Sequence, residues 1–146
     1  MKKSAGTVLI RKDQTMDMWL VLMLRCGTYW DFPKGQLERG ECELDAAIRE
    51  TTEETGIADV FPVKDRGPFA GFDCLVWTET EPYGHPRKTA RYFLAVTSAD
   101  EVVLPVNPEL GKPEHDEYRW MTFDQAEQLD LHPRVRKVLN WAKDNT

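Results

Sequence analysis

The feature of the sequence that most constrains its fold is a helical pattern in its first half. Between Cys42 and Thr55, small and apolar residues recur at spacings of three and four positions. These residues are Leu44, Ala47, Ile48, Thr51 and Thr55. A helix of about 3.6 residues per turn places such positions on one face, and Gly56 follows as a helix-ending residue. We therefore expect a helix over residues 42–55 that buries this face against the rest of the chain.

Much of the remaining sequence has the character of β-strands. Runs rich in aromatic and β-branched residues, bounded by Gly, Pro or polar turns, are typical of strands. The predicted strands cover residues 4–11, 19–25, 29–32, 60–63, 69–78, 90–97 and 118–121. A polar turn at residues 12–17 separates the first two, which we expect to pair. Loops are predicted around Gly35 and Gly40 and over the proline-rich residues 98–117.

Two further helices are predicted near the end of the sequence. Thr122 and Gln125 have the spacing of a capping box, which predicts a short helix that ends near Leu129. Pro133 suits the first turn of a final helix, whose predicted buried face is Val135, Val138, Leu139 and Ala142. Because strands outnumber helices and the two kinds are interspersed, the predicted fold class is α+β.

Length and hydropathy are those of one globular domain. The 146 residues suffice for one hydrophobic core, so we expect a single domain over residues 1–146. The longest strongly apolar run, residues 18–24, is far shorter than the roughly 20 residues that cross a bilayer. No cleavable leader is recognisable either. We therefore expect no membrane partner and a cytoplasmic location, and the oligomeric state is left open.

Charge and cysteine usage exclude further classes. Twenty-five acidic and nineteen basic residues give a net charge of −6, so stable nucleic-acid binding is not expected. An anionic ligand would need a metal ion or a few well-placed cations. The three cysteines, Cys26, Cys42 and Cys74, are widely spaced, and this spacing predicts neither a disulfide framework nor a zinc site.

Three acidic residues of the predicted helix are crowded together. Glu50, Glu53 and Glu54 stand at positions i, i+3 and i+4, which places neighbouring Cβ atoms about 5–6 Å apart. Each pair of such charges repels by about 3 kcal/mol at an effective dielectric constant near 20. Their position near the helix C-terminus is unfavourable for anions as well. Some other group must offset this repulsion.

Two interpretations of this acidic face are available. In one, the face is solvated and Arg49 pairs with Glu53 one turn on. In the other, the carboxylates bind a hard divalent cation such as Mg²⁺, which takes its remaining ligands from water and substrate phosphates. The flanking residues Gly35, Gly40 and Glu41 favour the second interpretation, because they supply a tight loop and a fourth carboxylate.

The segment from Gly35 to Ile57 resembles the signature of the Nudix hydrolases, Gly-x5-Glu-x7-Arg-Glu-U-x-Glu-Glu-x-Gly-U, in which U is aliphatic. Every fixed position matches, and the one departure is Thr51, which stands at an aliphatic position. The resemblance implies an α/β/α sandwich around a mixed β-sheet. It also implies hydrolysis of a nucleoside diphosphate linked to another group, with Mg²⁺ or Mn²⁺ as cofactor.

The resemblance also implies roles for individual residues. Glu50, Glu53 and Glu54 would be the metal ligands. One of these three would orient or deprotonate the attacking water in place of binding the metal. Which one does so varies within the family. Arg49 would hold the side chain of Glu53, and Gly35 would shape the loop under the metal site.

Three outer segments, residues 30–35, 88–95 and 114–120, resemble the asymmetrical diadenosine tetraphosphate hydrolases within that family. This resemblance implies that Lys34 and Lys88 bind the polyphosphate and that Tyr92 stacks on a base. Glu114 or His115 would serve the catalytic centre from a loop. Each has a structural alternative: both lysines as ordinary surface residues, and Tyr92 as a core or sheet-surface residue. The candidate distal acids are Glu109, Glu114, Asp116 and Glu117, of which we favour Glu114.

The expected function is therefore Mg²⁺-dependent hydrolysis of diadenosine tetraphosphate to ATP and AMP. The partner would be a small nucleotide polyphosphate. The enzymatic alternatives are removal of pyrophosphate from RNA 5′-triphosphate ends and hydrolysis of nucleoside triphosphates. The non-enzymatic alternative is a catalytically silent nucleotide-binding module. The intact glutamate trio favours an enzyme, because a vestigial site has no reason to keep mutually repelling carboxylates.

Overall fold

The computed structural model describes residues 2–65, 73–81, 84 and 87–146. The strands are β1 (Lys2–Asp13), β2 (Met18–Cys26), β3 (Tyr29–Asp31), β4 (Lys34–Gln36), β5 (Phe61–Pro62), β6 (Val76–Thr80), β7 (Lys88–Val96), β8 (Val106–Asn107), β9 (Lys112–Pro113) and β10 (Glu117–Thr122). The helices are α1 (Glu43–Thr55), α2 (Phe123–Glu127) and α3 (Pro133–Asp144).

The strands form one mixed sheet and a small hairpin. Along the sheet the order is β10-β2-β1-β7-β5, with β3 pairing to β2, β4 to β1 and β6 to β7. β1 and β7 run parallel, with Gly6 opposite Tyr92, whereas the other pairs in this sheet are antiparallel. β8 and β9 form a separate hairpin within the proline-rich segment. β1 is thus the central strand from which the elements of the site extend.

Alternating side chains of the central strands pack against helices on opposite faces of the sheet. Val8 and Ile10 of β1 share a core with the apolar face of α3, including Val135 and Leu139. Leu9 lies on the other face in a cluster with Leu22, Leu24, Ile57 and Val60, against which Ile48 of α1 also packs. The expected α/β/α sandwich around a mixed sheet is therefore confirmed.

The helix that carries the acidic residues has well-defined ends. Cys42 is its N-cap residue, and Gly56 is its C-cap residue with a left-handed φ of 75°, a conformation that glycine adopts without steric cost. The predicted helix 42–55 is thus confirmed to within one residue. The capping box of Thr122 and Gln125 is also present at the start of α2.

Two segments differ from expectation, and part of one predicted strand lies outside the described residues. The proline-rich residues 98–117, expected as a loop, contain the β8–β9 hairpin. Residues 34–36, expected within a loop, form β4, because their backbone completes hydrogen bonds to the start of β1. Of the predicted strand 69–78, residues 69–72 lie outside the described residues, and β6 covers the C-terminal part. Among the described residues, none of the helices has the length and apolarity needed to cross a membrane.

Candidate active site

The acidic face of α1 is held over the sheet by buried contacts. Thr51 points inward, where its Oγ1 donates to the carbonyl of Ala47 and lies 2.7 Å from Oγ1 of Thr7 on β1. Glu54, three residues later, is nearly buried, with 5% of its side chain exposed. The backbone N–H of Lys34 in β4 donates to Oε2 of Glu54 at 2.8 Å. The short strand β4 therefore fixes the carboxylate of Glu54.

Glu54 meets two residues of the proline-rich segment. Glu54, Glu114 and His115 each offer one ligand atom, and these atoms lie within 4.8 Å of one another. Nδ1 of His115 is 3.8 Å from Oε1 of Glu54, and burial lowers the pKa of this imidazole. The other acids that follow turn elsewhere: Asp116 accepts from the backbone of Gly27, and Glu117 accepts from Arg25. Of the acids Glu114, Asp116 and Glu117, the structure therefore places only Glu114 beside Glu54.

Burial and charge repulsion keep Glu54 protonated in the absence of a cation. Burial raises the pKa of Glu54 to about 10, and the neighbouring carboxylates of Glu114 and Glu50 contribute to the increase. The carboxyl groups of Glu54 and Glu114 also share a hydrogen bond. A cation bound beside Glu54 would favour its ionised form and so oppose this increase in pKa.

Glu50 lies against the backbone of the glycine loop. A Cβ atom at Gly35 would overlap the carboxylate of Glu50, so the close approach of the two requires glycine at this position. Nη1 of Arg49 donates to Oε1 of Glu50 at 2.9 Å. Burial raises the pKa of Glu50. Gly35 therefore makes room for the carboxylate as well as shaping the loop.

Arg49 organises four carboxylates around one guanidinium. Its strongest partner is Glu41, to which Nε and Nη2 donate at 2.8 and 2.9 Å, and these hydrogen bonds lower the pKa of Glu41 to about 2. Nη1 also donates to Glu53 at 3.2 Å and lies 3.8 Å from Glu38. Glu53, with 57% of its side chain exposed, is more accessible than Glu50 and Glu54.

Two adjoining cavities open beside these residues. The acidic pocket, a cavity of about 830 Å³, is lined by five glutamates together with His115 and the chain from Leu104 to Pro108. The glutamates are Glu50, Glu53, Glu54, Glu109 and Glu114. The basic pocket, a cavity of about 320 Å³, lies between β6, β7 and α3 and is lined by Lys34, Lys88, Arg134 and Lys137 among others. Lys34 lines both pockets.

The family model described as the NUDIX domain matches residues 1–142. The chain belongs to the Nudix family. It is 32% identical over 140 residues to the asymmetrical bis(5′-nucleosyl)-tetraphosphatase of Caenorhabditis elegans, covering 94% of this chain and 91% of that protein. Over 115 residues it is 31% identical to the RNA pyrophosphohydrolase of Brucella anthropi, covering 75% of this chain and 64% of that protein.

Solved structures of the family agree with the fold of this Nudix hydrolase. A binary complex of the C. elegans Ap4A hydrolase superposes with a TM-score of 0.77 at 25% identity, covering 99% of this chain and 97% of that chain. The Nudix hydrolase RenU of M. smegmatis shares the fold, with a TM-score of 0.74 at 18% identity and coverage of 98% and 84%.

Nudix hydrolases use a divalent metal, and the donor set of this chain fits one. Carboxylate oxygens from Glu50, Glu54 and Glu114 suit a hard cation such as Mg²⁺ or Mn²⁺. The repulsion of Glu54 by the carboxylates of Glu114 and Glu50 is further support, because a dication at this point would offset it. The imidazole of His115 is a better ligand for Mn²⁺ than for Mg²⁺.

The structure places two of the predicted substrate-binding residues away from the acidic pocket. Lys88 is exposed and lines the basic pocket. Tyr92 is fully buried, with its ring edge-on to Phe32 at a centroid distance of 5.9 Å. The expectation that Tyr92 stacks on a base is therefore wrong for this structure, since neither face of its ring is accessible. Parallel pairing of β7 with β1 directs this side chain into the core shared with α3.

Sequence reasoning missed the contribution of α3 to the region beside the site. Arg134 and Lys137, at positions i and i+3 of α3, reach the same basic pocket as Lys34. Their spacing on the polar face of an amphipathic helix was a visible signal. Nothing in the sequence linked that face to β4, however, because almost a hundred positions separate the two.

Proposed function

We propose that this Nudix hydrolase cleaves diadenosine tetraphosphate asymmetrically to ATP and AMP, using Mg²⁺ or Mn²⁺. The observation that carries the proposal is the acidic pocket: carboxylates from α1 and the proline-rich segment converge beside the cation of Lys34. The similarity over nearly the whole chain to asymmetrical bis(5′-nucleosyl)-tetraphosphatases supports the choice of substrate.

In this proposal Glu50, Glu53 and Glu54 hold the metal, and Glu114 completes the centre. The chemistry that a bound dication supplies is neutralisation of these carboxylates and activation of water for attack at phosphorus. Arg49 keeps Glu50 and Glu53 in position through its hydrogen bonds to both.

The reaction is an in-line displacement at phosphorus. The oxygen of water forms a bond to one phosphorus atom of the chain, and the anhydride P–O bond opposite it breaks. The proton of the water passes to a carboxylate, for which Glu53, Glu54 and Glu114 are the candidates. Lys34 and Lys88 bind the phosphate chain, Gly35 keeps the floor of the site open for Glu50, and His115 contacts the substrate beside Glu54.

RNA 5′-triphosphate ends are the second candidate substrate, because several relatives of this chain are named RNA pyrophosphohydrolases. The net charge of −6 favours a small substrate over a polyanionic one. We place the enzyme in the cytoplasm and propose neither a membrane nor a stable nucleic-acid partner for it.

The proposal is tested with a panel of substrates at millimolar Mg²⁺: diadenosine tetraphosphate, ATP, a nucleoside diphosphate sugar and triphosphorylated RNA. We expect ATP and AMP from the first substrate at the highest kcat/KM. Preferential release of pyrophosphate from RNA would assign the second candidate instead.

The Glu53→Gln variant tests the role of the trio within the same panel. Because Glu53 is exposed, we expect kcat to fall by orders of magnitude while Tm changes little. Glu101→Gln, a change at an exposed glutamate outside both pockets, is the matched control. A Glu53→Gln enzyme that retains the wild-type rate would contradict the mechanism.

A further inference from the structure

The basic pocket concentrates positive charge on an otherwise acidic protein. Lys34, Lys88, Arg134 and Lys137 line it together with two acids, Glu79 and Glu81. Glu79 is already engaged, because Nε1 of Trp77 donates to its Oε1 at 2.7 Å. The described lining therefore has an excess of two positive charges, whereas the whole chain carries a net charge of −6.

Arg134 has a hydrogen-bond donor left over in this pocket. Its Nη2 lies 3.4 Å from Oδ2 of Asp31. Its Nε is buried, and no acceptor for it occurs among the described residues. A buried donor without an acceptor costs free energy. Because Arg134 lines the pocket and its ion pair with Asp31 is long, its guanidinium can bind an additional anion there.

The two pockets share Lys34 as a lining residue. Its backbone N–H is bonded to Glu54 at the acidic pocket, while its side chain also lines the basic pocket, with Nζ 3.9 Å from Asp31. A substrate whose anhydride lies at the glutamates can therefore extend past Lys34 toward α3.

The lining of the basic pocket does not favour a nucleobase. The described lining residues include no Phe, Tyr or Trp side chain, and aromatic platforms are the usual means of stacking a base. The one aromatic residue expected to stack, Tyr92, is in the core. Guanidinium and ammonium groups instead match the oxygens of phosphate.

We propose that the basic pocket is a phosphate subsite that binds the phosphates of the substrate chain farthest from the glutamates, with Arg134 and Lys137 as additional phosphate-binding residues. The inference rests on the proposed function in that the substrate must reach the subsite from the acidic pocket. It predicts that the pocket binds a polyphosphate chain through its phosphates and needs no nucleoside for binding.

The subsite is tested by calorimetry with inorganic tripolyphosphate in the presence of EDTA, which removes divalent metal from the acidic pocket. We expect one tripolyphosphate to bind per wild-type chain. Arg134→Gln and Lys137→Gln are each expected to weaken binding about tenfold. Lys137 is exposed, so its variant keeps the test interpretable if Arg134→Gln fails to fold. Lys143→Gln removes one positive charge from the same helix at a site paired with Asp124 and Glu127, and should bind as wild type.

Three outcomes would overturn the phosphate subsite. The first is that the wild-type chain does not bind tripolyphosphate, and the second is that the wild type and Lys137→Gln bind it with equal affinity. The third is that adenosine displaces tripolyphosphate, which would assign the pocket to a base. The measurement involves neither metal nor hydrolysis. Binding without diadenosine tetraphosphate hydrolysis would therefore refute the proposed function and leave the subsite standing, and the reverse result would refute the subsite alone.

Discussion

At the residue scale, the buried carboxyl group of Glu54 makes the free energy of unfolding of the metal-free protein depend on pH. Burial raises its pKa from 4.5 to about 10, so between these values the folded chain holds a proton that the unfolded chain has released. The folded state binds more protons, and the free energy of unfolding therefore falls as the pH rises through this range. The bound proton of Glu54 contributes fully to the free energy of unfolding at pH values below the pKa of the unfolded chain. This contribution is lost as the pH rises toward the pKa of the folded chain.

We predict that Glu54→Gln stabilises the metal-free protein at pH 8. Gln is neutral at every pH, and its amide can keep the hydrogen bond from Lys34, so we expect a gain of about 1–3 kcal/mol. The gain should shrink as the pH approaches 5, where free glutamate is itself partly protonated. Thermal unfolding in EDTA at pH 5, 6.5 and 8 measures the effect. A gain that does not depend on pH would show that the proton on Glu54 is not the cause.

At the element scale, the contact between α1 and β1 explains an unusual residue of the signature. Thr51 stands where the family has an aliphatic side chain, and in the fold its hydroxyl meets that of Thr7 in a fully buried position. Since Thr51 donates to Ala47, its oxygen remains as the acceptor for the proton of Thr7. The pair ties the acidic helix to the central strand.

We predict strong coupling between these two threonines. Thr51→Val alone leaves the hydroxyl of Thr7 buried without a partner, at a cost of about 1–3 kcal/mol. Thr7→Val is expected to cost less, because the hydroxyl of Thr51 still donates to Ala47. The double variant Thr7→Val/Thr51→Val replaces both hydroxyls by methyl groups of like shape, so its loss should be well below the sum of the two. Urea denaturation of the four proteins gives the coupling energy, and simple additivity would argue against the buried pair.

At the scale of the whole molecule, the concentration of acid in one cavity predicts stabilisation by divalent metal. A cation that binds only the folded chain stabilises it by about 2.7 kcal/mol at one hundred times its dissociation constant, or roughly 5–10 °C in Tm for a domain of this size. We expect Mg²⁺ and Mn²⁺ to raise Tm in this way and Glu54→Gln to reduce the effect. NaCl at matched ionic strength is the control, and an equal rise with NaCl would indicate general screening.

Features that depend on local periodicity could be predicted from the amino-acid sequence alone. The helix 42–55, its end at Gly56 and the crowding of Glu50, Glu53 and Glu54 all follow from positions within a few turns of one another. Likewise, runs of aromatic and β-branched residues between turns predicted the long strands, and the capping box predicted the start of α2. Such features need no knowledge of distant residues, because backbone geometry alone fixes which side chains share a face.

The distant residues that contact these features follow from the three-dimensional fold and could not be predicted from the sequence. Glu114 rather than Asp116 meets Glu54, since the path of the proline-rich segment sets which side chain faces α1. The pairing of β7 with β1 sends Tyr92 into the core. Arg134, in turn, reaches the pocket of Lys34 because α3 packs on the same face of the sheet. Strand register and helix packing depend on burying apolar surface across the whole chain, and this long-range condition has no local signature.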